Sequence, residues 1–159
     1  MTTRPSLGSA LLLTLLAAGA ALAQPVARQA ANARFEDVRD DLKAAIESRG
    51  LVVDHQSHVG AMLDRTGPDV GSTRKLYGDA QSFQFCSARV SRRMMEADPA
   101  SVVLCPYSIV VYALAGQPGR VVVAYRRPML PGASPAARAA LREVDALLDG
   151  IAREAVGRR

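Results

Sequence analysis

The chain has few of the residue types from which most binding and catalytic sites are built. Its 159 residues include no tryptophan, three phenylalanines, four tyrosines, two histidines and two cysteines. Nucleic-acid binding needs a basic stripe interleaved with aromatic side chains, whereas the net charge of +5 is modest and dispersed along the chain. We therefore expect no nucleic-acid partner.

Common catalytic motifs are also missing. Ser72, Thr73 and Asp79 supply hydroxyls and a carboxylate, but no histidine is placed to complete a hydrolase triad. The glycines between residues 67 and 78 are not followed by the Gly-Lys-Ser/Thr ending of a phosphate-binding loop. The sequence therefore favours a protein that is not an enzyme and that needs no cofactor.

Long apolar runs are absent except near the N-terminus. Arg4 precedes an apolar run over residues 10–20, which is followed by Ala21, Leu22 and Ala23. A basic start, a short apolar core and small residues at the −3 and −1 positions are typical of a cleavable signal peptide. The core is shorter than the roughly 20 residues of a membrane-spanning helix. We predict a signal peptide over residues 1–23, a periplasmic or secreted location, and no membrane association after cleavage.

The remaining chain is long enough for one domain. Residues 24–34 are rich in Ala, Gln and Arg and are predicted to form a loose leader, so that the domain spans residues 35–157. Apolar residues at helical spacing predict helices over 35–50, 60–65 and 88–97, and a last helix capped by Ser134. Strands are predicted over 51–53, 82–86, 107–114 and 120–126. This order predicts a two-layer α+β sandwich, an antiparallel sheet with amphipathic helices packed on one face.

Several short motifs in the second half of the chain occur in a recognisable order. They are Met94-Met-Glu-Ala-Asp-Pro99, Leu104-Cys-Pro106, Ile109-Val-Val-Tyr112 and Val121-Val-Val-Ala-Tyr125 with Pro128. Their order and spacing resemble the core of the domain of unknown function 302 family, over about residues 35–155 of this chain. The resemblance implies a small α+β domain that is often a homodimer and has no established activity.

Some members of that family carry paired cysteines, one after the second strand and one directly after the proline of a strand entry. Cys86 matches the first position, whereas Tyr107 occupies the second and Cys105 precedes Pro106. In an exported protein, two cysteines favour a disulfide between Cys86 and Cys105. Two separate thiols, or a redox or metal-binding use of them, are the alternatives.

The two histidines form a second candidate site. His55 and His58 could hold a metal ion, with Met94, Met95 and the two cysteines as soft ligands suited to copper. The alternative is that the histidines are solvated loop residues and that Met94 packs in the core.

Three arginines form a third candidate site. Arg89, Arg92 and Arg93 share a face of the helix predicted over residues 88–97 and could bind an anionic ligand. The alternative is a solvated helix face on which Glu96 pairs with an arginine three or four residues away.

These observations favour a non-enzymatic periplasmic domain, a homodimer, that binds a small ligand or another protein of the cell envelope. One alternative is a thiol-redox or sulfur-handling protein that uses Cys86 and Cys105. The other is a copper-binding accessory protein that uses His55 and His58.

Overall fold

The computed structural model describes residues 25–157, so the signal peptide predicted over residues 1–23 lies outside the described residues. Five strands form one antiparallel sheet: β1 (Val26–Asn32), β2 (Val53–Ser57), β3 (Tyr77–Phe85), β4 (Tyr107–Leu114) and β5 (Arg120–Arg126). The helices are α1 (Phe35–Glu47), α2 (Val59–Thr66), α3 (Ala88–Ala97) and α4 (Pro135–Gly157). The strand order is β1-β5-β4-β3-β2. The predicted two-layer α+β sandwich is confirmed.

The edge strand β1 corrects the prediction of a loose leader over residues 24–34. It pairs with β5 along its whole length, from Val26 opposite Arg126 to Asn32 opposite Arg120. Its Ala, Arg and Gln residues have little strand propensity of their own. The segment is therefore a strand because β5 offers it a pairing edge, and the domain begins at β1 rather than at residue 35.

Other element boundaries differ less from the predictions. The strand predicted over residues 51–53 runs from Val53 to Ser57, and Val52 is 71% exposed. The strand predicted over residues 82–86 begins earlier, at Tyr77. The last helix begins as predicted, since the Ser134 hydroxyl accepts a 3.1 Å hydrogen bond from the N–H of Ala137.

The core lies between one face of the sheet and the helices α1, α3 and α4. The sheet contributes fully buried side chains that alternate along its three central strands: Phe83, Phe85, Ile109, Val111, Val121 and Val123. The helices contribute Val38, Leu42, Ile46, Met94, Val144, Leu148 and Ile151. Burial of one such side chain stabilises the fold by about 1.5–3 kcal/mol, so this layer holds the helices in place.

Helix α2 is an exception to the predicted packing of the helices on one face, because it lies on the other side of the sheet. Its Gly60 lies against Ala80 of β3, and Ala80 pairs with Tyr112 of β4. Because side chains alternate along a strand, Ala80 and Tyr112 point away from the core that holds Val111. Among the helices of residues 25–157, none is long and apolar enough to cross a membrane.

The close approach of α2 to β3 can be tested by glycine substitutions. A Cβ added at Gly60 would lie 2.9 Å from the backbone nitrogen of Ala80, whereas one added at Gly150 of α4 would lie 3.6 Å from an Arg49 nitrogen. In a helix, Gly→Ala usually stabilises by about 1 kcal/mol. We expect this gain for Gly150→Ala in urea unfolding, and a loss of about 1–3 kcal/mol for Gly60→Ala because α2 must move. Equal stabilisation by both substitutions would contradict the described packing.

Candidate functional site

The structure brings the two cysteines together. Cys86 directly follows β3, and Cys105 directly follows a 3₁₀ segment, Pro99–Leu104. They form a disulfide with Cα atoms 6.4 Å apart. The bond encloses α3 in a covalent loop and ties the end of the 3₁₀ segment to the sheet. Beside it, the Ser91 hydroxyl lies 3.8 Å from the Cys105 sulfur and 2.8 Å from the Tyr107 hydroxyl.

The residues proposed to hold copper are not gathered into one site. His55 lies in β2 and His58 directly precedes α2, and both are exposed. Met94 is buried in the core with 1% exposure. Within residues 25–157, no three His, Cys, Asp or Glu side chains are grouped closely enough to hold a metal ion. The copper hypothesis therefore gains no third ligand of these four residue types for the two histidines within the described residues.

Two of the three arginines of α3 take part in ion pairs at the helix surface. Arg92 donates to Glu96 on the same helix at 2.7 Å, and Arg93 donates to Glu143 of α4, also at 2.7 Å. Arg89 is exposed. Two of the three candidate anion-binding residues thus already contact carboxylates, and Arg93 serves to join α3 to α4.

A groove that the sequence does not single out lies between α4 and the connection from β5. We call it the α4 groove, and its volume is about 560 Å³. Its charged lining residues are Arg127, Arg138, Arg142 and Asp145. Its apolar lining residues are Pro128, Met129, Leu130 and Leu141. This volume is in the range of small-molecule sites, which combine an apolar lining with a few placed polar groups.

A hydrogen-bonded network fixes one wall of the α4 groove. The buried Tyr125 hydroxyl donates to one oxygen of Asp145 at 3.0 Å, and Arg127 donates to the other at 2.5 Å. Burial, and then the hydrogen bond to Asp145, raise the pKa of Tyr125. The phenol therefore stays protonated and remains a donor. Both oxygens of Asp145 are engaged in holding the wall of the groove.

A second groove of about 450 Å³ shares Arg127 and Pro128 with the first. The 3₁₀ segment contributes Val103, and the sheet face opposite the core contributes Val110 and Ala124. Val103 is 73% exposed. The disulfide ends the 3₁₀ segment, so it also positions one side of this second groove.

The helical wall of the α4 groove follows a pattern that can be recognised in the sequence. Arg138, Leu141, Arg142 and Asp145 recur at positions i, i+3, i+4 and i+7, so they share one helix face. The other wall comes from residues 127–130, which the composition marks only as a linker. These residues approach α4 because of the way the chain turns after β5, and no local sequence pattern predicts that turn.

Comparison with known proteins agrees with the described fold. The model of the family "Domain of unknown function DUF302" matches residues 26–155. The crystal structure of an uncharacterized conserved DUF302 protein from Bacillus stearothermophilus is similar, with a TM-score of 0.69 at 16% identity, over 84% of this chain and 99% of that chain. Among curated proteins, none matches the chain. The family match begins at the first residue of β1, and it shows that the chain belongs to the DUF302 family.

Proposed function

We propose that this chain is an exported, non-enzymatic binding module that holds a small molecule in the α4 groove. The observation that carries the proposal is the lining of the groove, which combines three guanidinium groups and one carboxylate with four apolar side chains. Ligand sites in proteins combine these two kinds of surface, because apolar contact supplies affinity and polar groups fix orientation.

The contacts of Asp145 give this residue a part in shaping the groove. Both oxygens of Asp145 accept hydrogen bonds, from Tyr125 and from Arg127. In the proposed function, Asp145 therefore acts as a positioning residue that holds Arg127 at the wall of the groove.

Export is part of the same proposal. It is supported by Arg4, by the apolar run over residues 10–20, and by the small residues Ala21 and Ala23. The disulfide between Cys86 and Cys105 is in keeping with an oxidising compartment.

A neutral dye tests whether the α4 groove binds molecules at all. Nile red emits at shorter wavelengths in apolar surroundings, so a titration followed by its emission measures binding in the groove. Met129→Asp places a charge in the apolar lining, and we expect it to weaken binding about tenfold, or about 1.4 kcal/mol. Met62→Asp is the matched control, because Met62 of α2 is 40% exposed and Met129 is 49% exposed. Absent binding, or binding that Met129→Asp leaves unchanged, would overturn the proposed site.

The paired cysteines favour a second candidate function, thiol-disulfide exchange. Both cysteines are half-buried, so a partner thiol could approach them. In that role the two reduced thiols would give two electrons and two protons to the disulfide of a partner protein. The products would be the Cys86–Cys105 disulfide and two partner thiols.

Intact mass of protein recovered from the envelope of a Gram-negative expression host tests export and the disulfide together. We expect the mass of residues 24–159, lighter by two hydrogen atoms than the reduced form. The mass of the whole chain would contradict export, and alkylation of both cysteines without reductant would contradict the disulfide.

The same sample separates the two functions of the cysteines. A disulfide that persists in reduced glutathione indicates a structural role, whereas reversible reduction of the folded protein supports thiol-disulfide exchange.

A further inference from the structure

The charges of the α4 groove do not balance. Arg127 is paired with Asp145 at 2.5 Å. A terminal nitrogen of Arg138 donates to the backbone carbonyl of Ala133, which fixes its guanidinium without neutralising it. Arg142 is exposed and makes no ion pair within residues 25–157. Among residues 25–157, the positive charges of Arg138 and Arg142 are therefore not paired with a carboxylate.

These two arginines are placed to act on one group. Arg138 and Arg142 are four residues apart on α4, so their side chains are neighbours on one helix face, one turn apart. Planar guanidinium groups bind carboxylate and similar anions through two parallel hydrogen bonds. A single anionic head could therefore contact both arginines at the helix surface.

The rest of the groove favours an apolar body attached to that head. Leu141 lies between the two arginines in sequence, is almost fully buried, and lines the groove together with Pro128, Met129 and Leu130. Methionine side chains adapt to ligands of irregular shape because they are unbranched and polarizable. A second anionic group on the ligand would meet either this apolar wall or the Arg127–Asp145 ion pair.

From this arrangement we infer that the α4 groove takes an amphiphilic anion, a molecule with one anionic head and an apolar body, and that Arg142 binds the head. The inference rests on the proposed function, since it names the class of ligand for the same groove. Arg138 shares the head, and Met129 and Leu130 cover the body.

Competition against bound Nile red tests the ligand class. Decanoate and decanol have the same ten-carbon chain length and differ in the charge of the head. We expect decanoate to displace the dye from the purified protein at about a tenfold lower concentration than decanol does. The preference should shrink at high ionic strength, because Arg142 is exposed and salt screens its charge. Inorganic phosphate, which has no apolar body, should not displace the dye at concentrations at which decanoate does.

Two arginine variants test which residue causes the preference for decanoate over decanol. Arg142→Gln removes the charge and should abolish the preference for decanoate over decanol. Arg65→Gln, an exposed helical arginine on α2, is the matched control and should retain it.

The outcomes separate the ligand class from the proposed function. Equal displacement by decanoate and decanol, with dye binding still sensitive to Met129→Asp, would overturn the anion inference and leave the groove as a binding site. Displacement by phosphate would also overturn it, in favour of a general anion site. An unchanged preference in Arg142→Gln would overturn the assignment to that residue. Dye binding that does not depend on Met129 would overturn both proposals.

Discussion

The structure depends on the burial of one side of α4 against the sheet. Val144, Leu148 and Ile151 are fully or almost fully buried in the core, on a helix that contacts β1 and β5 of the sheet. Polar contacts then join the same helix to its neighbours. Arg49, just after α1, pairs with Glu154, and Arg93 of α3 pairs with Glu143. Exposed ion pairs contribute little to stability, so apolar burial anchors the helix and the ion pairs help to fix its orientation.

An anchored α4 gives the adjoining side of the same helix a fixed position. Arg138 and Arg142 project from a helix that cannot easily rotate, and Asp145 holds Arg127 at the facing wall. A groove built on a rigid element loses less conformational entropy on binding than one built on loops. The packing that stabilises the domain therefore also preorganises the proposed site.

The elements with strong local patterns could be predicted from the sequence. The central strands β4 and β5 are continuous apolar runs, and α4 has both a helical repeat and the Ser134 cap. The edge strand β1 could not be predicted, because its residues are neutral toward strand formation and only the edge of β5 makes it a strand.

The candidate sites, too, could be predicted from the sequence only in part. The sequence places Cys86 and Cys105 on elements that can meet, and the structure joins them. The α4 groove needs Arg142 from a helix and Met129 from a connection, and their proximity is set by tertiary packing alone. Membership in the DUF302 family fixes the fold and leaves the ligand to be argued from these side chains.

The location of a bound amphiphile tests the proposed site most directly. In a methyl NMR titration with decanoate, we expect shift changes concentrated at Met129, Leu130 and Leu141, the apolar lining of the α4 groove. The methyl groups of Val103 and Val110, in the second groove, should change little. Shift changes centred on Val103 and Val110 instead would place the ligand in the second groove and contradict the proposed site.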